Sequence, residues 1–364
     1  MPSAERDARP VAEDELSSLF SIFPRNGRVI LEISGGADST AFLVLAQRWR
    51  VGQSNGPDLI VATVDHGLRA GSRTDAERVC ALADQLGFPH ELLTWSGAKP
   101  VTGIEEAARE ARYGLLLRFA QKIGASAVSL AHTLDDQAET VLMRLAAGSG
   151  PAGLAAMRAR ETRGTVELLR PLLGVRKARL AATLRNAGVD WSDDLTNADP
   201  RFARGRLRNA AAVLAREGLT PERLARLAAR MARTEEVVAG AAEAARDLMR
   251  HPDRPARLGG WALVGVAEEI ALRVLVAEIA AVSGADKPQR LRLHRLEAFW
   301  GALQFAIVAA RPFRRTIGGA LVSVDPKDRS VLIVRAPARR RPASAHKETS
   351  PRRSVGTARL RETT

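Results

Sequence analysis

A chain of 364 residues, 46% hydrophobic and 26% charged, is long enough for two cores and too apolar to stay unfolded. Its one cysteine, Cys80, excludes an intramolecular disulfide, a four-cysteine zinc site and a cysteine-ligated iron–sulfur cluster built from this chain alone. With 55 Lys and Arg against 41 Asp and Glu the formal charge is +14, which favours a polyanionic partner, nucleic acid first, although an Arg- and Ala-rich composition accounts for part of the surplus. No apolar run approaches the roughly 18 residues of a membrane span, and the opening MPSAERDARP carries acids where a secretory signal starts basic, so a cytoplasmic protein with no membrane partner is expected.

Residues 1–27 read as an N-terminal extension with a helix. From residue 28 apolar runs alternate with amphipathic stretches, the pattern of strand–helix units feeding a parallel sheet. Strands are predicted over 28–34, 59–65, 91–95 and 127–132, with helices over 38–48, 74–87, 104–124 and 135–147 between and after them. A further unit over 167–173 and 177–187 completes a doubly wound α/β domain, 28–212. Such a sheet binds ligands beyond the carboxyl ends of its strands. Those ends carry Ser34, Asp65 with His66, and His132.

A mainly helical second domain follows over 213–335, with breaks at 218–221, 251–260 and 283–288 and two or three short strands over 313–335 closing it. Residues 336–364 lose the apolar pattern and read as a basic, disordered tail. Arg223, Arg226, Arg230 and Arg233 are spaced by three or four, so one helix presents them as a stripe that either lies in solvent or meets a phosphate backbone. Arg201, Arg204, Arg206 and Arg208 cluster at the domain junction.

Ser34-Gly35-Gly36-Ala37-Asp38-Ser39-Thr40 stands directly after a strand and before a helix. Paired glycines bring backbone N–H groups close to a ligand, and the helix start adds further N–H groups and a positive dipole end, so phosphate is the natural occupant. Asp38 is the acid placed to meet Mg²⁺, which combines carboxylates with phosphate oxygens and water. The Lys and the four-residue gap of a Walker A loop are missing, so γ-phosphoryl transfer is not implied. On the helix after the fourth strand, Asp136 and Glu139 are three apart and share a face with Thr140. Two carboxylates there either complement a helix start or serve a cation, magnesium or a substrate ammonium. Arg112 by itself reads as a solvated arginine.

Together these segments resemble the tRNA(Ile)-lysidine synthetase family, with its Ser-Gly-Gly-x-Asp-Ser pyrophosphate (PP) loop. Val64-Asp65-His66-Gly67-Leu68-Arg69, Ala108-Arg109-Glu110-Ala111-Arg112-Tyr113 and Ala131-His132-Thr133-Leu134-Asp135-Asp136-Gln137-Ala138-Glu139-Thr140 follow the loop in the family's order. Arg144 to Gly150, Arg170-Pro171-Leu172-Leu173 and Arg201 to Arg208 extend the likeness over roughly 28–210. The resemblance implies a carbon–nitrogen ligase. ATP adenylates C2 of the wobble cytidine of a CAU-anticodon isoleucine tRNA, then free L-lysine displaces AMP to give lysidine. It implies that Ser34, Gly35, Gly36, Ala37, Asp38 and Ser39, with Asp65 and His66, hold ATP and Mg²⁺. Arg112, His132, Asp136, Glu139 and Arg204 would line the cytidine and lysine site, while Arg206, Arg208, Arg226 and Arg230 are assigned to tRNA. Gly205 replaces the Asn of the family's Arg-Asn-Arg, and the C-terminal part is shorter than in the longest members.

The nearest rivals are a tRNA thiolase, against which Cys80 alone argues, an amidotransferase-type ligase, for which no glutaminase domain is evident, and a non-catalytic nucleotide- or tRNA-binding module. The oligomeric state is open, a homodimer included.

Overall fold

Strand β1 (Arg28–Glu32) is almost wholly buried, as a strand covered on both faces must be. Val29, Leu31 and the following Ile33 join one core while Ile30 joins the other, the two-residue alternation of extended chain. The computed structural model describes residues 9–53, 55–68, 71–97, 99–100, 102–192, 203–251, 254–283 and 291–336. It divides into two compact units, one running to Gly240 and the other starting at Ala241.

In the first unit, helix α1 (Glu13–Leu19) precedes β1, which is followed by α2 (Ala37–Val51), β2 (Asp58–Asp65), α3 (Ser72–Gln85), β3 (His90–Thr94), α4 (Ile104–Ile123) and β4 (Ala127–Leu130). Then come α5 (Leu134–Ala146), the short α6 (Pro151–Leu154), β5 (Arg160–Arg163), β6 (Val166–Leu169), α7 (Lys177–Ala187), α8 (Ala203–Arg216) and α9 (Pro221–Met249). The strands form one sheet in the order β3-β2-β1-β4-β6-β5. All neighbours run parallel except the edge pair β5 and β6, which is antiparallel.

Progress from β1 to β3 goes one way across the sheet, and the return to β4 on the other side of β1 reverses it. Right-handed crossovers then put the connecting helices on opposite faces. Accordingly α2, α3 and α7 pack with Phe42, Val79 and Leu180 on one face, and α4 packs with Tyr113, Leu116 and Phe119 on the other. The N-terminal segment docks through Phe20, stacked on Trp49 at 5.0 Å. The reversal leaves a crevice between the ends of β1 and β4, where the sequence motifs lie.

The second unit holds the end of α9, β7 (Arg250–His251), β8 (Arg254–Leu258), α10 (Gly260–Val264), α11 (Glu268–Ser283), α12 (Leu293–Val308), β9 (Phe313–Ile317), β10 (Ala320–Val324) and β11 (Val331–Arg335). The strands form a second sheet in the order β7-β8-β11-β10-β9. Leu275, Trp300, Leu303, Val322 and Val331 fill its core. Three of these strands match the short strands expected over 313–335. The other two were missed, because Arg250–His251 is only two residues long and Arg254-Pro255-Ala256-Arg257-Leu258 contains a proline and no apolar alternation. Among the described residues no helix is long and apolar enough to cross a membrane. Residues 337–364, most of the expected tail, lie outside the described residues, as does Arg201.

Candidate active site

The loop after β1 is shaped for close approach. Gly35 takes φ +87°, and a Cβ there would stand 3.3 Å from Val79 Cγ2, so conformation and space both call for glycine. Ser39 Oγ donates to the Gly36 carbonyl at 3.0 Å and accepts from the Ser34 N–H at 3.2 Å, closing the loop on itself. Across from it, the Ser192 N–H donates to the Gly35 carbonyl at 3.0 Å. The helical ladder of α2 begins with the Thr40 N–H on the Gly36 carbonyl, 2.9 Å, so the N–H groups of the first turn face the crevice as an anion site.

Helix α5 starts at the end of β4 with a reciprocal cap. Asp136 Oδ2 accepts from the Thr133 N–H and Oγ1, each at 2.8 Å, and the Asp136 N–H donates back to Thr133 Oγ1 at 3.3 Å. The other oxygen, Oδ1, lies 3.0 Å from the ammonium of Lys177. That ammonium also pairs with Asp38 of the loop. Asp135, by contrast, turns away to α7, accepting from the Lys177 N–H at 2.8 Å and from Arg176 Nε at 3.1 Å. Helix α8 supplies Arg208, whose guanidinium donates to both oxygens of Glu139 at 2.6 and 3.2 Å and reaches to 3.9 Å from Asp136.

These pairings set the charges. Burial raises the Asp38 carboxyl above its usual value, an effect that Lys177 opposes. Burial also acts on Asp136, but Lys177 and the Thr133 hydrogen bonds outweigh it and hold that carboxyl below the usual range. Lys177 is desolvated, yet the two carboxylates keep its ammonium charged, above the ordinary lysine value.

A third group lies at the ends of β1, β2 and β4. Glu32, buried at the end of β1, faces Arg112 of α4 at 3.5 Å and raises the guanidinium's already high value. His132 is pushed down to about 3, by burial first and by Arg112 second, so its ring is neutral near pH 7. His66 is lowered for the same reasons. Arg112 Nε and the Nδ1 atoms of His66 and His132 are buried with no hydrogen-bond partner among the described residues. Three orphaned polar atoms in one neighbourhood are what a polar ligand would satisfy.

Of the residues singled out by sequence, the structure gathers Ser34 to Ser39, Asp136, Glu139 and Arg208 around one cluster of charges, with His66, Arg112 and His132 beside it. Arg112 is therefore no solvated arginine. Asp65 accepts from the Gly67 N–H at 2.8 Å and shapes the turn that carries His66. Arg206 is exposed on α8, and Arg223, Arg226, Arg230 and Arg233 are exposed on α9. Arg204 opens α8, but its side chain lies outside the described residues. Gly205 is buried in that helix. Sequence reasoning missed Lys177 and Glu32. Each left a signal: Lys177 is one of six lysines in an arginine-rich chain, and Glu32 is the one acid in an apolar strand.

A strand–loop–helix phosphate cradle at the switch point of a parallel sheet, with a carboxylate in the loop, defines an ATP-using PP-loop protein. The family model of the PP-loop domain matches residues 9–214. Over 345 residues the chain is 49% identical to a tRNA(Ile)-lysidine synthase of Methylobacterium sp. (strain 4-46), covering 92% of this chain and 97% of the relative. It is 46% identical to one from Bradyrhizobium sp. (strain BTAi1 / ATCC BAA-1182), with the same shares covered. Among solved structures, the U34-tRNA thiolase NcsA from Methanococcus maripaludis with its [4Fe-4S] cluster matches with TM-score 0.52 and 15% identity, over 60% of this chain and 76% of that one, a likeness of fold. The chain belongs to the tRNA(Ile)-lysidine synthase family.

Proposed function

We propose that this chain joins free L-lysine to C2 of the wobble cytidine of a CAU-anticodon isoleucine tRNA at the expense of ATP. The observation that carries the reading is the convergence of Asp38, from the loop after β1, and Asp136, from the helix after β4, on one cation beside a backbone anion site. The α/β phosphates of ATP would lie on the 34–39 loop and the start of α2. Cytidine O2 attacks the α-phosphorus and pyrophosphate leaves. An amine of lysine then attacks C2, the C2–N bond forms, and AMP departs with the former O2. Electrostatic neutralisation and alignment are the main demands.

Mg²⁺ fits this donor set. Two carboxylates already flank a cation, and among the described residues no group of three or more His, Cys, Asp or Glu could hold a metal. Phosphate oxygens and water would therefore complete the shell, as is usual for this ion. Bound there, Mg²⁺ would screen the phosphates and ease departure of pyrophosphate. Neutral His132 and charged Arg112 supply an acceptor or donor and a fixed positive charge for the base and its developing charge. Glu139 and Arg208 are offered as the amine and carboxylate contacts of lysine. The arginine stripe of α9, and the second unit, are offered as tRNA contacts, and an enzyme acting on tRNA would work in the cytoplasm.

The test is pyrophosphate release with purified protein. Release should require tRNA, stop near one equivalent without lysine, and turn over when lysine is added. Continuous release without tRNA would contradict the proposal.

A further inference from the structure

Lys177 stands where the proposed metal belongs. Its ammonium bridges Asp38 of α2 and Asp136 of α5, the two carboxylates that flank the anion site. Its backbone is pinned separately, because its N–H donates to Asp135 and the neighbouring Arg176 grips the same carboxylate. The Cα is thus fixed while the four-carbon stem stays flexible, and 31% of the side chain remains exposed on the crevice. An ammonium and a divalent cation cannot share this position, since like charges at contact distance in a partly desolvated site repel strongly. A phosphate group seated on the loop that carries Asp38 would lie a short swing away.

We propose that Lys177 is a resident counter-ion that occupies the cation position between Asp38 and Asp136 in the nucleotide-free protein and moves onto the ATP phosphates when the nucleotide brings its metal. The inference rests on the reading of the 34–39 loop as the ATP site. It assigns Lys177 two tasks. Without nucleotide it neutralises two partly buried carboxylates and holds free metal out; with nucleotide it adds a positive charge to the phosphates. A lysine suits both, being a compact point charge on a mobile stem.

Two opposed effects separate this from a structural strap. In Lys177→Gln, Mn²⁺ binding to nucleotide-free protein, read by electron paramagnetic resonance, should tighten at least fivefold. Affinity for the non-cleavable analogue α,β-methylene-ATP with Mg²⁺ should fall at least tenfold. Lys177→Arg keeps the charge and should keep Mn²⁺ binding weak. A strap would lower thermal stability and leave Mn²⁺ binding as in the parent, and that result overturns the proposal. If the Gln variant does not fold, the parent decides. With [13Cε]lysine labelling of its six lysines, the Lys177 signal should shift on adding Mg²⁺ with the analogue and stay in place with Mg²⁺ alone. A signal unmoved by the analogue sinks the idea. Failure of the broader reading would show differently, as absence of analogue binding in the parent itself.

Discussion

At the scale of single residues the site is a set of paired charges, and each pair has its own test. Asp38 is the acid within the phosphate loop, half of the cation position. Asp38→Ala should abolish adenylation, lowering pyrophosphate release at least a hundredfold; release at the parent rate would remove it from the metal role. Glu139 pairs with Arg208 rather than with Lys177, the partner of Asp38. Glu139→Gln should raise the KM for lysine about tenfold, on the scale of one charge-assisted hydrogen bond, with ATP affinity within twofold. ATP affinity falling in step would place Glu139 with the nucleotide. His132 predicts a pH effect on stability. Its folded value, about 3, lies below the ordinary 6.5, so between these the unfolded chain binds the extra proton. Stability from this group is whole above about pH 6.5 and is lost as pH falls toward 3. Between pH 7 and pH 5 the parent should lose about 2 kcal/mol more unfolding free energy than His132→Gln, measured by urea denaturation. Parallel pH curves would mean that the ring is solvated.

At the scale of elements, strands and helices were legible wherever burial forced a period. Val29 to Leu31 and Val128 to Leu130 are buried on both faces and announce central strands; β8, with Pro255 and two arginines, owes its form to pairing with β11, through Val331 opposite Leu258, and no local pattern reveals it. The loop glycines were legible for the same physical reason that they are needed, backbone conformation and space. Lys177 was not, because it reaches Asp38 across 139 positions and only the packing of α7 on α2 brings them together. Long-range ion pairs have no period to read. Helix α9 carries the prediction at this scale. Its exposed arginines at 223, 226, 230 and 233 form a stripe on one face. Changing Arg226 and Arg230 to Gln should weaken tRNA binding and flatten the slope of log affinity against log salt by about one to two units, near one per lost phosphate contact, while ATP affinity stays unchanged. An unaltered slope would assign the stripe to solvent.

For the whole molecule, the charge of +14 and the two compact units fit an enzyme that holds a large polyanion while working on one base of it. The sheet reversal between β1 and β4 places the phosphate loop, the acid pairs and the orphaned polar atoms of Arg112, His66 and His132 around one crevice. Lysidine formation is read most directly by mass-spectrometric nucleoside analysis of CAU-anticodon isoleucine tRNA after incubation with the protein, Mg²⁺, ATP and lysine. Cytidine at the wobble position should be replaced by lysidine, and omitting either ATP or lysine should prevent the replacement. Unmodified cytidine in the complete mixture, with a parallel methionine tRNA equally unmodified and the protein folded and binding ATP, would contradict the proposal.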